Sequence, residues 1–349
     1  MSSLAILIEQ INQAASICFL TISIVNFLLG AFGLLINIYV FTRPTLRQEP
    51  CSMYFLISSC YNLFVVFVVM PVRVLSNAYD ISASNYNLGI CKFEYFIFYA
   101  TRATSVWLIL LACIDRFLHS SPQRCLRQLS SMKTAKLAIA TSSLFVPILY
   151  SHMIAYYELY NVTNANGNVV PSCRSRKGFY STFFGFSHMV VYSLCPSFFM
   201  LTFGFLTIRN TQKRNHLVRR ITAENMRTRR TNSQLLRMLT AQVLVIIIAT
   251  LPFSIYQLYT SFTSILVKDT LRIAQENLFA RITGIMTYFA HSSSFYLYTL
   301  TGTIFRKEAK KIFQHVSRIH TVDTEQQGIH VLQFRHQQMI PHLSRRQRQ

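Results

Sequence analysis

The chain has 349 residues, a mean hydropathy of +0.32 and only 13% charged residues, a composition too apolar for an ordinary soluble domain. A net charge of +22 would suggest nucleic acid as the partner of a soluble protein, but in a membrane protein the basic residues first reflect topology, so no nucleic acid is expected. The eight cysteines are scattered without any CxxC spacing. This pattern excludes a disulfide framework as the main stabilising feature of the fold, and it predicts no metal site.

Seven apolar runs are long enough to cross a bilayer, which takes about 20 residues at 1.5 Å of helix rise each. They lie at roughly 17–41, 51–75, 91–117, 133–157, 183–208, 238–262 and 282–304. No internal repeat is visible, which weighs against a transporter built from two related halves. The first run is full length and no basic residue precedes it, so it is predicted to be a spanning helix and not a cleaved signal peptide.

The distribution of lysine and arginine predicts the orientation. If the N-terminus is outside, the inner side comprises the loops near 42–50, 116–136 and 209–237 and everything after residue 305. These segments hold 25 of the 34 basic residues, and basic residues collect on the cytoplasmic side of membrane proteins. We therefore expect an extracellular N-terminus.

The same topology predicts four parts of the chain: an extracellular segment 1–16, a helix bundle 17–305, an amphipathic membrane-surface helix 306–313 and a disordered inner tail 314–349. In the helix after the bundle, apolar positions alternate with four basic residues, so it should lie along the inner leaflet and bind anionic membrane lipid.

The third run ends in Asp115-Arg116-Phe117 and begins near Cys91. The 25 helical steps from Cys91 to Arg116 span roughly 37 Å, about one bilayer with its interfaces. This resembles the third helix of rhodopsin-like (class A) G-protein-coupled receptors, in which an outer cysteine precedes the arginine of an Asp-Arg-Tyr motif at the same spacing. The resemblance implies an all-α membrane protein, a seven-transmembrane helix bundle with a short amphipathic eighth helix.

Further residues fall where the family places its own. Cys173, in the loop after the fourth run, matches the usual disulfide partner of Cys91, and Pro196 and Pro252 match prolines that kink the fifth and sixth helices. The loop that carries Cys173 also holds Asn161 in an Asn-Val-Thr sequence, the only N-glycosylation pattern in the chain.

The resemblance covers residues 17 to about 313, but several signature residues differ. Asn62 stands in the second run where the family usually carries an aspartate that helps to hold sodium, so no sodium site is predicted. Ser294 and Phe295 replace the Asn-Pro pair that precedes the terminal tyrosine of the seventh helix, here Tyr298. These substitutions indicate a divergent member.

As a family member, the chain would be a plasma-membrane receptor that binds an extracellular ligand and activates heterotrimeric G proteins, with arrestin as a further partner and no cofactor. Asp115, Arg116, Phe117 and Tyr298 would form the switch. Because no acid is visible at the start of the sixth helix, Asp115 is expected to be the main ionic restraint on Arg116.

Arg102 is the most informative residue for the ligand. It lies fourteen residues outward of Arg116, 1400° around the helix and 40° short of whole turns, so it faces the same interior direction. A buried arginine is costly and requires water or an anionic partner. Two readings remain open: Arg102 is satisfied within the protein, or it lines a ligand pocket. The candidate pocket residues are Tyr95, Phe98, Arg102, His188, Tyr288 and His291, with Arg73 and Glu94 nearer the rim.

The pocket residues also exclude ligand classes under the family alignment. Phe98 takes the place of the aspartate that binds biogenic amines, and Tyr288 takes the place of the retinal-binding lysine of opsins. Charged residues at the rim favour a peptide. The alternative function is a multi-pass transporter, channel or intramembrane enzyme. Such proteins use paired intramembrane acids or metal ligands at helical spacing, and the spans show neither pattern.

Overall fold

The computed structural model describes residues 3–79, 81–163, 169–217, 223–263, 266, 268–303, 305–311 and 314. The chain divides into two units, Met1–Gly302 and Thr303–Gln349. The first unit contains seven long helices, and the predicted all-α seven-helix fold is confirmed.

Four of the seven helices are interrupted, the second and fifth by a π-helical turn and the fourth and seventh by a one-residue break. Their bounds in chain order are Ser3–Phe41; Pro50–Phe64 with Val65–Val69 and Met70–Tyr79; Leu88–Ser120; Met132–Tyr150 with His152–Tyr156; Phe179–His188 with Met189–Leu194 and Cys195–Leu217; Ala223–Phe262; and Thr270–Ser292 with Ser294–Thr301. Short helices in the connections span Pro44–Arg47, Ala83–Asn85 and Arg124–Leu129.

Among the described residues, six helices are long and apolar enough to cross a membrane. The seventh helix carries Arg272, Glu276 and Arg281 in its first half and is less apolar, but it packs between the first and sixth helices. Large apolar side chains such as Leu28 and Ile248 are exposed on the outside of the bundle. An apolar outer surface is what a bilayer solvates, so the exposure follows from the membrane environment.

The first helix is longer than the predicted span. It begins at Ser3 rather than near residue 17, so most of the segment expected to form a separate N-terminal part continues the helix. Residues 3–16 contain neither proline nor glycine, the two residue types that stop helices most effectively.

Two helices contain a π-helical turn shortly before a proline. The turn Met189–Leu194 precedes Pro196, and the turn Val65–Val69 precedes Pro71. Proline has no N–H to donate and its ring clashes with the carbonyl one turn earlier, so a widened turn relieves both problems. The sixth helix, Ala223–Phe262, continues through Pro252 without a π-helical turn. The kink predicted at Pro252 stays a prediction.

An antiparallel hairpin follows the fourth helix and consists of β1 (Tyr157–Thr163) and β2 (Val169–Ser175). Cys173 of β2 forms a disulfide with Cys91 at the start of the third helix, which ties the hairpin to the bundle as predicted. Tyr160 donates a hydrogen bond of 2.8 Å to Glu158, and burial together with this carboxylate raises the pKa of Tyr160. Asn161 is exposed on β1, as a glycosylation acceptor must be.

In the second unit, residues 305–311 are helical and their four basic side chains are exposed. Lys311 pairs with Glu308 at 2.9 Å. Residues 312–313 of the predicted membrane-surface helix, and the tail from residue 315, lie outside the described residues.

Candidate functional site

Arg116, the central residue of the Asp115-Arg116-Phe117 motif, is buried and contacts acidic side chains. Its side chain is 3% exposed and donates to Asp115 through Nε (3.2 Å) and Nη2 (2.8 Å). Asp115 also accepts a hydrogen bond of 2.8 Å from Ser130, in the connection to the fourth helix. The expected pairing of Asp115 with Arg116 is therefore present in this structure.

A second acid, which sequence reasoning missed, reaches the same arginine. Glu49 lies at the start of the second helix, and its carboxylate is 3.7 Å from Nη2 of Arg116. We call Glu49, Asp115, Arg116 and Ser130 the Arg116 cluster. In the sequence, Glu49 is simply an acidic residue in the loop after the first helix. No spacing rule relates that loop to the end of the third helix, so the contact could not be predicted.

The other two predicted switch residues pack against neighbouring helices. The Phe117 ring contacts Phe203 of the fifth helix, with ring centroids 5.4 Å apart. Tyr298 is 1% exposed and packs against Phe55 of the second helix (5.1 Å) and Phe41 of the first (5.6 Å). Both aromatic residues are therefore interhelical contacts.

Close packing of the first and seventh helices depends on glycine. A Cβ added to Gly33 would stand 2.8 Å from the Cβ of Phe295, which is too close for any larger residue. One turn further along, Asn37 donates a hydrogen bond of 2.9 Å to Ser294. The residues that replace the family's Asn-Pro pair thus form the contact between these helices.

Arg102 is also buried, at 7% exposure, but its surroundings are neutral and aromatic. It donates a hydrogen bond of 2.9 Å to Thr287 of the seventh helix. Its guanidinium carbon lies 5.3 to 6.0 Å from four ring centroids, a range in which cation–π attraction operates. These rings are Tyr99, Tyr192, Phe253 and Tyr288.

Two polar atoms in this group lack a partner among the described residues. In the part of the chain that the structure describes, Nε of Arg102 has no hydrogen-bond acceptor and no carboxylate lies within 4.0 Å of the guanidinium. His188 bonds to the Tyr150 hydroxyl through Nδ1 (3.0 Å), while its Nε2 has no partner. We call Arg102, His188 and the rings that surround them the Arg102 cluster.

His188 and Arg102 contact three of the same rings. The imidazole stacks on Tyr192 (4.9 Å) and meets Tyr99 edge to face (4.8 Å), with Phe253 at 6.1 Å. The third, fifth, sixth and seventh helices thus meet around two incompletely bonded polar groups. Buried polar groups are normally satisfied, so such a site is suited to an added ligand or water.

His291 extends this cluster toward the second helix. Tyr192 lies 3.4 Å from its Nε2, and its Nδ1 lies 2.7 Å from Oδ1 of Asn62. Because an amide oxygen only accepts, Nδ1 carries the proton and Nε2 accepts from the Tyr192 hydroxyl. Ser105 donates to the same Asn62 oxygen at 2.5 Å. A chain of neutral hydrogen-bonding groups therefore occupies the place of the missing aspartate.

The two rim residues, Arg73 and Glu94, have different surroundings. Arg73 of the second helix sits over the Tyr95 ring (4.3 Å) and near the Phe98 ring (5.3 Å). Phe98 itself packs with Tyr288 in an apolar core cluster. Glu94 lines a shallow groove between the second and third helices with Phe93 and other residues.

Sequence reasoning missed Tyr99, Tyr192, Phe253 and Thr287. Tyr192 is four residues before Pro196, and Phe253 directly follows Pro252, so proximity to helix prolines was an available signal. Tyr99 and Thr287 neighbour predicted pocket residues, but only their burial singles them out.

The seven helices enclose two buried arginines. One is paired to acids at the end of the third helix, and the other lies inside the bundle, an arrangement typical of a signalling receptor. The family described as 7 transmembrane receptor (rhodopsin family) matches residues 33–296. No curated protein matches the chain in a sequence search. The chain belongs to the rhodopsin family of G-protein-coupled receptors. It is therefore a multi-pass membrane receptor and not an enzyme.

Proposed function

We propose that this receptor lies in the plasma membrane with its N-terminus outside, binds an extracellular peptide through the Arg102 cluster and activates heterotrimeric G proteins through the Arg116 cluster. Arrestin is a further partner of the same inner face. The observation that carries the proposal is the buried Arg102 with no carboxylate within 4.0 Å among the described residues.

The cost of burying a charge explains why this arginine supports a binding role. An arginine in the middle of a spanning helix costs about 2.5 to 3.5 kcal/mol on insertion scales. Hydrogen bonds to the neutral hydroxyls of Thr287 and Tyr192 and weak attraction by rings supply no countercharge, so part of this cost stays uncompensated. An anionic ligand group would use the planar fork of the guanidinium, and the Nε2 atom of His188 could bond the same ligand.

A peptide fits this chemistry because it offers carboxylates and carbonyl groups at several depths. Its C-terminus or an acidic side chain would meet Arg102, and a charged flank would meet Arg73 and Glu94 nearer the hairpin. The disulfide between Cys91 and Cys173 holds that hairpin at the entrance. Tyr95, Tyr288 and His291 complete the walls.

The signalling step requires Arg116 to exchange partners. In this structure it is 3% exposed and bound to Asp115 and Glu49. A G protein would have to compete with both carboxylates, so the described arrangement corresponds to a resting receptor. Movements of Phe117 and Tyr298 against neighbouring helices would open the site.

The test is guanine-nucleotide exchange on purified heterotrimeric G protein by the full-length receptor in lipid nanodiscs, used to screen a peptide library. Each active peptide is compared with its C-terminal amide and with variants in which acidic residues become amides. We expect one of these neutralised peptides to lose at least tenfold in potency, about 1.4 kcal/mol. Equal potency of all neutralised forms would refute the anionic contact. If peptides that bind the receptor stimulate nucleotide exchange on no heterotrimeric G protein, the coupling proposal is wrong.

A further inference from the structure

A second cavity lies on the membrane-facing side of the seventh helix, away from the Arg102 cluster. It is bounded by the first, sixth and seventh helices and has a volume of about 460 Å³, within the usual range of roughly 300 to 1,000 Å³ for small-molecule sites. Its seventh-helix wall uses Ile282 and Phe289, both exposed, whereas Thr287 and Tyr288 face the interior. The groove therefore opens toward lipid.

The groove has the depth of one membrane leaflet. Along the first helix its lining runs from Ala15 to Asn26. The eleven helical steps from Ala15 to Asn26 correspond to about 16 Å, and half of a hydrocarbon core of about 30 Å is about 15 Å. An acyl chain lying parallel to the helices would fill it.

The walls are apolar and the end on the N-terminal side is charged. Phe19, Ile22, Ile248, Ile285 and Phe289 form most of the lining. Arg281 is the one charged residue among those that line the groove, and Asn26, 3% exposed, closes the deep end. Charge at one end of an apolar slot is complementary to an amphiphile with an anionic headgroup.

Arg281 is held in position for such a headgroup. It donates a hydrogen bond of 2.6 Å from Nη1 to Ser16 of the first helix. A guanidinium has five N–H donors in a planar fork, so it can bond Ser16 and a phosphate together. The bond also joins the first and seventh helices at the headgroup end of the groove.

We propose that this groove is a binding site for a phospholipid of the leaflet on the N-terminal side, with one acyl chain between the first, sixth and seventh helices and the phosphate at Arg281. The lipid reaches it sideways through the membrane, since Ile22, Ile248 and Phe289 are exposed on that side. The site is independent of the ligand at Arg102.

The test uses two photoreactive lipids with the same diazirine-bearing acyl chain, phosphatidic acid and diacylglycerol, in phosphatidylcholine vesicles that contain the full-length receptor. Cross-linked peptides are mapped by mass spectrometry. We expect phosphatidic acid to label groove residues at least fivefold more than diacylglycerol does. Labelling of the groove no greater than that of the exposed surface of the fourth helix would overturn the proposal.

Matched variants separate the two ends of the site. Ile248→Trp fills the groove and should reduce labelling there at least tenfold, whereas Ile255→Trp, seven residues further along the same exposed side of the sixth helix, should not. Arg281→Gln should abolish the preference for phosphatidic acid, and Arg272→Gln, on the exposed side of the same helix, should keep it.

If Ile248→Trp does not purify as a monodisperse protein, Ile22→Trp replaces it from the opposite wall. Equal labelling of the groove-filling variant and the Ile255→Trp control would show that the acyl chain does not occupy the groove. A preference for phosphatidic acid that survives Arg281→Gln would show that the phosphate binds elsewhere.

Discussion

Arg102 and Arg116 are both buried side chains of the third helix, fourteen residues apart, but the protein surrounds them differently. Arg116 contacts two carboxylates, those of Asp115 and Glu49. Arg102 contacts a threonine hydroxyl and the faces of aromatic rings. The comparison teaches that burial alone does not define a role. Arg116 has its countercharge inside the protein, whereas Arg102 can gain one only from a bound ligand.

The largest expected effect is on stability. Arg116→Leu leaves buried Asp115 without its cation and should destabilise the receptor by about 3 to 5 kcal/mol, the usual cost of breaking a buried pair from one side. Arg102→Leu removes a charge that has no acid within 4.0 Å among the described residues, so no loss of stability is expected. Thermal unfolding of the two purified variants measures the difference. Equal losses of thermal stability in the two variants would show that the two arginines do not differ in how the protein compensates their charge.

The next effect concerns the ligand. Arg102→Ala should reduce agonist potency at least tenfold, about 1.4 kcal/mol. Arg102→Lys should recover only part of the loss because an ammonium lacks the bidentate fork. Dose–response curves of nucleotide exchange at matched surface expression provide the measurement, with Arg272→Ala as the control. Wild-type potency of Arg102→Ala would make this arginine a structural residue.

A smaller effect concerns basal signalling. Asp115→Asn weakens the restraint on Arg116, so exchange without agonist should increase. Glu49→Gln should increase it less, because Glu49 lies at 3.7 Å and is 28% exposed, whereas Asp115 lies at 2.8 Å and is 4% exposed. Since both acids share one arginine, the double variant should not show the sum of the two effects. Unchanged basal exchange in all three would argue against an acid restraint.

The smallest effect is expected from sodium. In the place of the family's aspartate, Asn62 accepts hydrogen bonds from Ser105 and His291 and supplies no negative charge. Replacing sodium chloride by choline chloride should therefore leave agonist affinity nearly unchanged in radioligand competition. A strong sodium dependence would mean that another carboxylate has taken over the site.

The candidate sites were predictable where their residues share one helix. The spacing of Phe98, Arg102 and Arg116 along the third helix identified the interior face, and the resemblance to the receptor family identified the disulfide. Across helices the prediction was incomplete. Glu94 was predicted at the rim of the pocket, but the groove between the second and third helices that it lines with Phe93 and Phe98 could not be read from the sequence.

The sequence by itself determined the number of helices, the family and the two buried arginines, because hydrophobic length and helical periodicity are local properties that a bilayer enforces. Only the tertiary structure decided which groups meet those arginines. Contact between Glu49 and Arg116, or between Asn62 and His291, depends on the rotation and height of one helix relative to another. Those quantities are set by side-chain packing, such as the close approach at Gly33, and no spacing along the chain encodes them.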